Sequence, residues 1–111
     1  MLEVIFYRDS QHRLSSIFAR GHAEFADHGD DIVCAAVSAI LQAARLGLEA
    51  YAGIELDVVQ TAGNLRLAWP KPARDDAALR AIVTTAELSV KHIASQYPAH
   101  VTFLSKDGEP T

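Results

Sequence analysis

The chain opens with a short apolar run. Over Leu2 to Tyr7, Val4 and Phe6 alternate against Glu3 and Ile5, and a second β-type run covers Leu14 to Ala19. Arg8 to Arg13 between them is polar and turn-like, and Gly21 closes the second run. Such a pair predicts an antiparallel hairpin. Ala23 to Asp30 shows no period and contains Gly29, which predicts a loop. From Ile32 to about Tyr51 the period changes. Val33, Val37, Ile40, Ala44 and Leu48 fall on one helical stripe, and Ala35, Ala36, Ala39 and Ala43 allow close packing on further sides. A largely buried central helix is expected.

Ala52 to Glu55, with Gly53, ends that helix. Leu56 to Thr61 and Leu65 to Trp69 then flank Ala62-Gly63-Asn64, which predicts a second hairpin. Pro70-Lys71-Pro72 stops the strand, and Asp75 or Asp76 can cap a second helix. Leu79, Ile82, Val83, Ala86, Val90, Ile93 and Tyr97 form its apolar face, and Pro98 ends it. Val101 to Leu104 reads as a last strand, followed by a polar tail. The order β-β-α-β-β-α-β predicts an α+β fold, with a mainly antiparallel sheet and two helices packed on it.

Composition narrows the class. A length of 111 residues suits a single domain spanning 1–111, and a hydrophobic share of 50% supports a core without disulfides or a structural metal. The one cysteine cannot form an internal bridge, which fits a reducing, cytoplasmic setting. No secretory signal pattern is read, and no apolar stretch is expected to span a membrane. A net charge of −4 without a basic stripe argues against direct nucleic-acid binding.

The lone thiol, Cys34, is the main chemical candidate. With Asp31 as helix cap, Cys34 falls in the first helical turn, where partial positive charge favours a thiolate. Asp30 and Asp31 act in the opposite direction, and an imidazolium at His22 could offset them. His22 follows Gly21 at the end of the second strand. His28 is its rival as base, whereas His12, His92 and His100 read as solvated or structural. Asp31 reads equally well as a cap or as a group orienting His22. Ser38 lies one turn beyond Cys34 on the same face, either as a polar neighbour of the thiol or bonded to its own helix. His22, His28 and Cys34 match no zinc spacing, so no metal is expected. No cofactor motif is present, and neither a phosphate loop nor a nucleophile-elbow serine occurs.

Two blocks carry a resemblance: Gly21-His22-Ala23, and Asp31-Ile32-Val33-Cys34-Ala35-Ala36-Val37-Ser38 after Gly29. Together they resemble the signature of the bacterial ribosomal-processing cysteine proteases of the Prp family, and the resemblance runs over essentially the whole chain. It implies a small α+β endopeptidase, typically a homodimer. Its substrate would be the N-terminal extension of the large-subunit ribosomal protein number twenty-seven. It also implies a catalytic pair His22 and Cys34, with Asp31, Ser38 and Gly21 in support. Ala23, Glu24, Phe25, Ala26, Asp27, His28, Gly29 and Asp30 would form a substrate loop. Backbone amides at the helix start, those of Cys34 and Ala35, are the expected oxyanion donors. The competing class is a non-catalytic ribosome-assembly module with a structural, buried cysteine. A thiol redox sensor would lack a resolving cysteine.

Overall fold

The computed structural model describes residues 1–21 and 28–108, with backbone only at 28–31. Its elements are β1 (Leu2–Arg8), β2 (Leu14–Arg20), α1 (His28–Leu46), β3 (Asp57–Thr61), β4 (Asn64–Ala68), α2 (Ala77–Gln96) and β5 (Val101–Asp107). This is the element order predicted from the periodicity. The strands form one sheet in the order β3-β4-β2-β1-β5. Every pairing is antiparallel except β1 with β5, which is parallel.

Alternation along the strands sends one set of side chains towards the helices. Leu2, Val4 and Phe6, then Ile17 and Ala19, then Leu65 and Leu67, share a single buried cluster with Val33, Val37, Leu41, Ala44 and Leu48 of the first helical segment and Leu79, Val83, Ala86 and Val90 of α2. Both helices therefore cover the same face. On the other face the register aligns Phe18, Ile5 and Leu104 in a row across β2, β1 and β5. Ile5 is 2% exposed, so its cross-strand neighbours suffice to shield it.

The β1–β2 hairpin closes through Asp9. Its Oδ1 accepts the backbone N–H of Gln11 at 2.8 Å and of Arg13 at 3.1 Å, the side-chain-to-backbone bonding that makes aspartate a turn residue. A register shift at Tyr7/Arg8 leaves Ser15 as the extra residue. Its hydroxyl donates to the Tyr7 carbonyl, and Trp69 Nε1 donates to the Leu14 carbonyl at 2.8 Å. These bonds satisfy polar groups that the core would otherwise strand. At the start of α2, Asp76 is the cap, accepting the Leu79 N–H at 3.0 Å.

Two expectations about the first helix need correcting. The helix begins at His28, so the end of the predicted loop, His28-Gly29-Asp30, is helical and Asp31 lies inside the helix instead of capping it. It is also buried on one side only. Val33, Cys34, Val37, Leu41, Ala44 and Leu48 face the core, while Ala35, Ala36, Ala39 and Ala43 are exposed beside Ile32 and Leu46. Alanine is equally at home on either side of a helix, so the sequence pattern could not tell the two faces apart. After Leu46 the helix widens, with Ala52 N–H donating to the Gly47 carbonyl five residues back at 3.0 Å. Ile32 to Tyr51, 20 residues, is long and apolar enough by composition to cross a membrane, contrary to the sequence expectation. In this fold its inner stripe is part of the protein core.

Candidate active site

The site predicted from sequence falls where β2 ends and α1 begins. Gly21 leaves β2 with a φ of 81°, a left-handed conformation that favours glycine. Its N–H donates to the Gly63 carbonyl in the β3–β4 turn at 3.1 Å. His22, Ala23, Glu24, Phe25, Ala26 and Asp27 lie outside the described residues, as do the side chains of His28, Asp30 and Asp31. The structure therefore describes one member of the predicted pair, Cys34, together with the residue that precedes the other.

Cys34 lies in the second turn of α1 and belongs to the buried cluster, with an exposure of 7%. A helical side chain leans towards the N-terminus of its own helix, so the thiol is directed to the helix end that follows the β2 exit. Ser38 is half-buried one turn further on. Ala35, next to Cys34, is exposed. In α-helical geometry the N–H groups of Cys34 and Ala35 face the carbonyls of residues 30 and 31. An oxyanion role for these two amides therefore calls for a locally opened first turn.

Three of the remaining histidines are described with their side chains. His12 is exposed in the β1–β2 turn, with a φ of 64°. His92 is exposed on α2, and the His100 carbonyl accepts the Leu2 N–H at 3.0 Å. Among the described residues no group of three His, Cys, Asp or Glu side chains is placed to hold a metal. What sequence reasoning missed is the support around Gly21. Gly63 lies far along the chain, and nothing local marks the contact except that both partners are glycines.

At the other end of the sheet, roughly 20 Å along β2, charged groups form a separate network. Arg13 bridges Asp9 and Asp75, Arg74 reaches Asp9, and Arg8 pairs with Glu87. A polar cleft of about 390 Å³ lined by Arg8, Arg13, Arg74 and Arg80 lies there. Because Arg8, Arg13 and Arg74 are each engaged by carboxylates, the network reads as a structural tie between the hairpin and α2.

Comparison with known proteins agrees with the motif reading. The sequence profile of the family described as "Cysteine protease Prp" matches residues 1–102. The chain is 31% identical to the ribosomal processing cysteine protease Prp of Bacillus subtilis, over 73% of this chain and 74% of that protein. It is 36% identical to the protein of that name in Mycoplasma genitalium, over 77% and 82%. A crystal structure of SMU.848 from Streptococcus mutans superposes with a TM-score of 0.84 at 25% identity, covering 97% of this chain and 96% of that one. The ribosomal processing protease Prp from S. aureus, solved in complex with a substrate peptide, has the same fold, with a TM-score of 0.85 at 20% identity over 96% and 100%. With the motif blocks inside the matched span and the fold shared, this chain belongs to the cysteine protease Prp family.

Proposed function

We propose that the protein is a cysteine endopeptidase that removes the N-terminal extension of the large-subunit ribosomal protein number twenty-seven during ribosome maturation in the cytoplasm. The observation that carries this reading is the family match over residues 1–102, which contains both the Gly21-His22-Ala23 block and the block around the chain's one cysteine. Cys34 Sγ attacks the scissile carbonyl, and His22 takes the thiol proton and returns it to the leaving amine. Water, deprotonated by His22, then hydrolyses the thioester. Asp31 and Ser38 support the pair, and residues 23–30 contact the substrate peptide. Amides of Cys34 and Ala35 serve the oxyanion once the first turn opens.

The test is cleavage of a peptide that spans the extension junction. Wild-type protein cleaves it, and both Cys34→Ala and His22→Ala lose cleavage by on the order of 1000-fold or more. Cleavage at the normal rate by either variant would sink the assignment.

A second reading draws on one observation, the 7% exposure of Cys34 within the core cluster. A buried, unreactive thiol suits a non-catalytic module that binds a basic ribosomal protein through an acidic surface. Alkylation separates the two. Labelling of Cys34 at neutral pH that speeds up with the junction peptide present supports the protease, and labelling that needs a denaturant supports the module.

The family resemblance also suggests a homodimer, and we place its interface on the outer face of α1. Ile32, Ala36, Ala39, Ala43 and Leu46 are all exposed there. Their spacing of four and three in alternation is the seam of a helix pair, and no charged residue interrupts it.

A further inference from the structure

Gly21 is held by more than its left-handed φ. A Cβ added there would fall on the carbonyl oxygen of Met1, with the Met1 carbonyl carbon at 3.4 Å and Leu2 Cα at 3.7 Å. These are backbone atoms, and they cannot easily yield. Leu2 is 1% exposed, its N–H donates to the His100 carbonyl at 3.0 Å, and it is paired in register with Val101 of β5. On the opposite side the Gly21 N–H is anchored on Gly63, in a two-residue turn where Gly63 itself has a φ of 82°.

We infer that Gly21 is a positioning residue. The chain leaves β2 between two fixed backbones, the β1 start and the β3–β4 turn, and only a residue without an L-side chain fits the gap. The residue bonded to its carbonyl carbon is His22, the proposed base. A side chain at position 21 would either push the β1 start outwards or turn the Gly21 carbonyl away, and both would redirect the chain entering His22. Misplacing a catalytic group by about 1 Å costs on the order of 100-fold in rate. This inference rests on the protease reading above and adds a residue that contacts neither substrate nor the reacting atoms.

The experiment uses chirality. The chain's one cysteine is Cys34, so a synthetic 1–33 thioester can be ligated to a fragment 34–111 that begins with Cys34, giving the full native chain. Two ligated proteins, with L-Ala and with D-Ala at position 21, are compared with ligated wild type. A D-residue accepts a φ of +81° without strain, and its methyl replaces the other α-hydrogen instead of the one directed at the Met1 carbonyl. For L-Ala the expected results are a folded protein, a kcat on the junction peptide lower by on the order of 100-fold, and a nearly unchanged KM. Its pH profile of Cys34 alkylation should match that of His22→Ala. D-Ala should restore kcat to within about threefold, together with the wild-type alkylation profile.

Three outcomes would overturn the inference. L-Ala could keep the wild-type rate, D-Ala could be as impaired as L-Ala, or L-Ala could fail to fold, which would make the glycine structural. Loss of the protease reading looks different: either the ligated wild type would then fail to cleave the peptide, or His22→Ala would cleave it normally, whatever stands at position 21.

Discussion

Arg8 and Glu87 meet in a two-pronged ion pair. Arg8 Nη1 donates to one carboxylate oxygen and Nη2 to the other, both at 2.8 Å, and Nη1 also reaches Ser105 Oγ at 2.9 Å. One guanidinium thus joins β1, β5 and α2. Glu87 is 8% exposed, and it is the buried charged residue on a helix face otherwise given to Leu79, Val83, Ala86 and Val90. The adjacent carboxylate raises the Arg8 pKa further through its hydrogen bond, against partial desolvation. The parallel fork geometry is the strong form of such a pair.

Glu87→Ala should therefore cost more than a surface pair would. The Arg8 side chain is 28% exposed, so water recovers part of the loss. A destabilisation of about 2 kcal/mol is expected, between the values for exposed and fully buried pairs. Urea unfolding followed by circular dichroism measures it. Alkylation of Cys34 at neutral pH should be unchanged, because the pair lies at the far end of the sheet from Gly21. A loss below about 0.5 kcal/mol would place the pair with ordinary surface contacts.

Asp9 should make the hairpin acid-sensitive. Partial desolvation favours its neutral form but is outweighed by hydrogen bonds from the Arg13 backbone, Arg74, the Gln11 backbone and the Arg13 side chain, which hold its carboxyl well below the usual range. A folded pKa below the unfolded one contributes stability that is fully present above the unfolded value, near 4. That contribution is lost as pH falls towards the folded value. The Tm gap between wild type and Asp9→Asn should be widest above about pH 5 and close as pH drops below about 4. A gap that stays constant from about pH 5 down to about pH 2 would show that the charge of Asp9 does not stabilise the hairpin.

These ties also show where the sequence was legible. The 3.6-residue stripe of Leu79, Val83, Ala86 and Val90 reports burial directly, whereas over Leu2 to Tyr7 the alternation is incomplete, because Ile5 and Tyr7 on the other face are buried as well. The parallel pairing of β1 with β5 has no local signal, since it depends on where α2 returns the chain. Neither the pairing of Arg8 with Glu87, 79 residues apart, nor the anchoring of Gly21 on Gly63 is encoded near either partner. At the site, the motif blocks nominate Cys34 and His22 but carry no sign of the wedge of Met1 against Gly21. The start of α1 was placed too late because Gly29 reads as a breaker and aspartates read as caps. Propensity at a helix end is weaker than the context that decides it.

The outer face of α1 gives the last prediction. Its apolar positions Ile32, Ala36, Ala39, Ala43 and Leu46 leave a seam on which a second helix can lie, and alanines allow the two axes to approach closely. Ile32 and Leu46, 64% and 65% exposed, would bracket the contact. In antiparallel self-pairing Ala39 and Ala43 fall near the middle, where a charge is hardest to accommodate. If the protein forms the homodimer proposed above, Ala39→Glu should convert it to a monomer in light scattering coupled to size exclusion, and a wild type that runs as a monomer would overturn that proposal. The cost to each folded chain should be only the small propensity difference, about 0.4 kcal/mol. The sheet's open face, with its row of Phe18, Ile5 and Leu104, offers the internal control. If Ala39→Glu stays dimeric while Phe18→Glu dissociates, the copies meet through the sheet and not through α1.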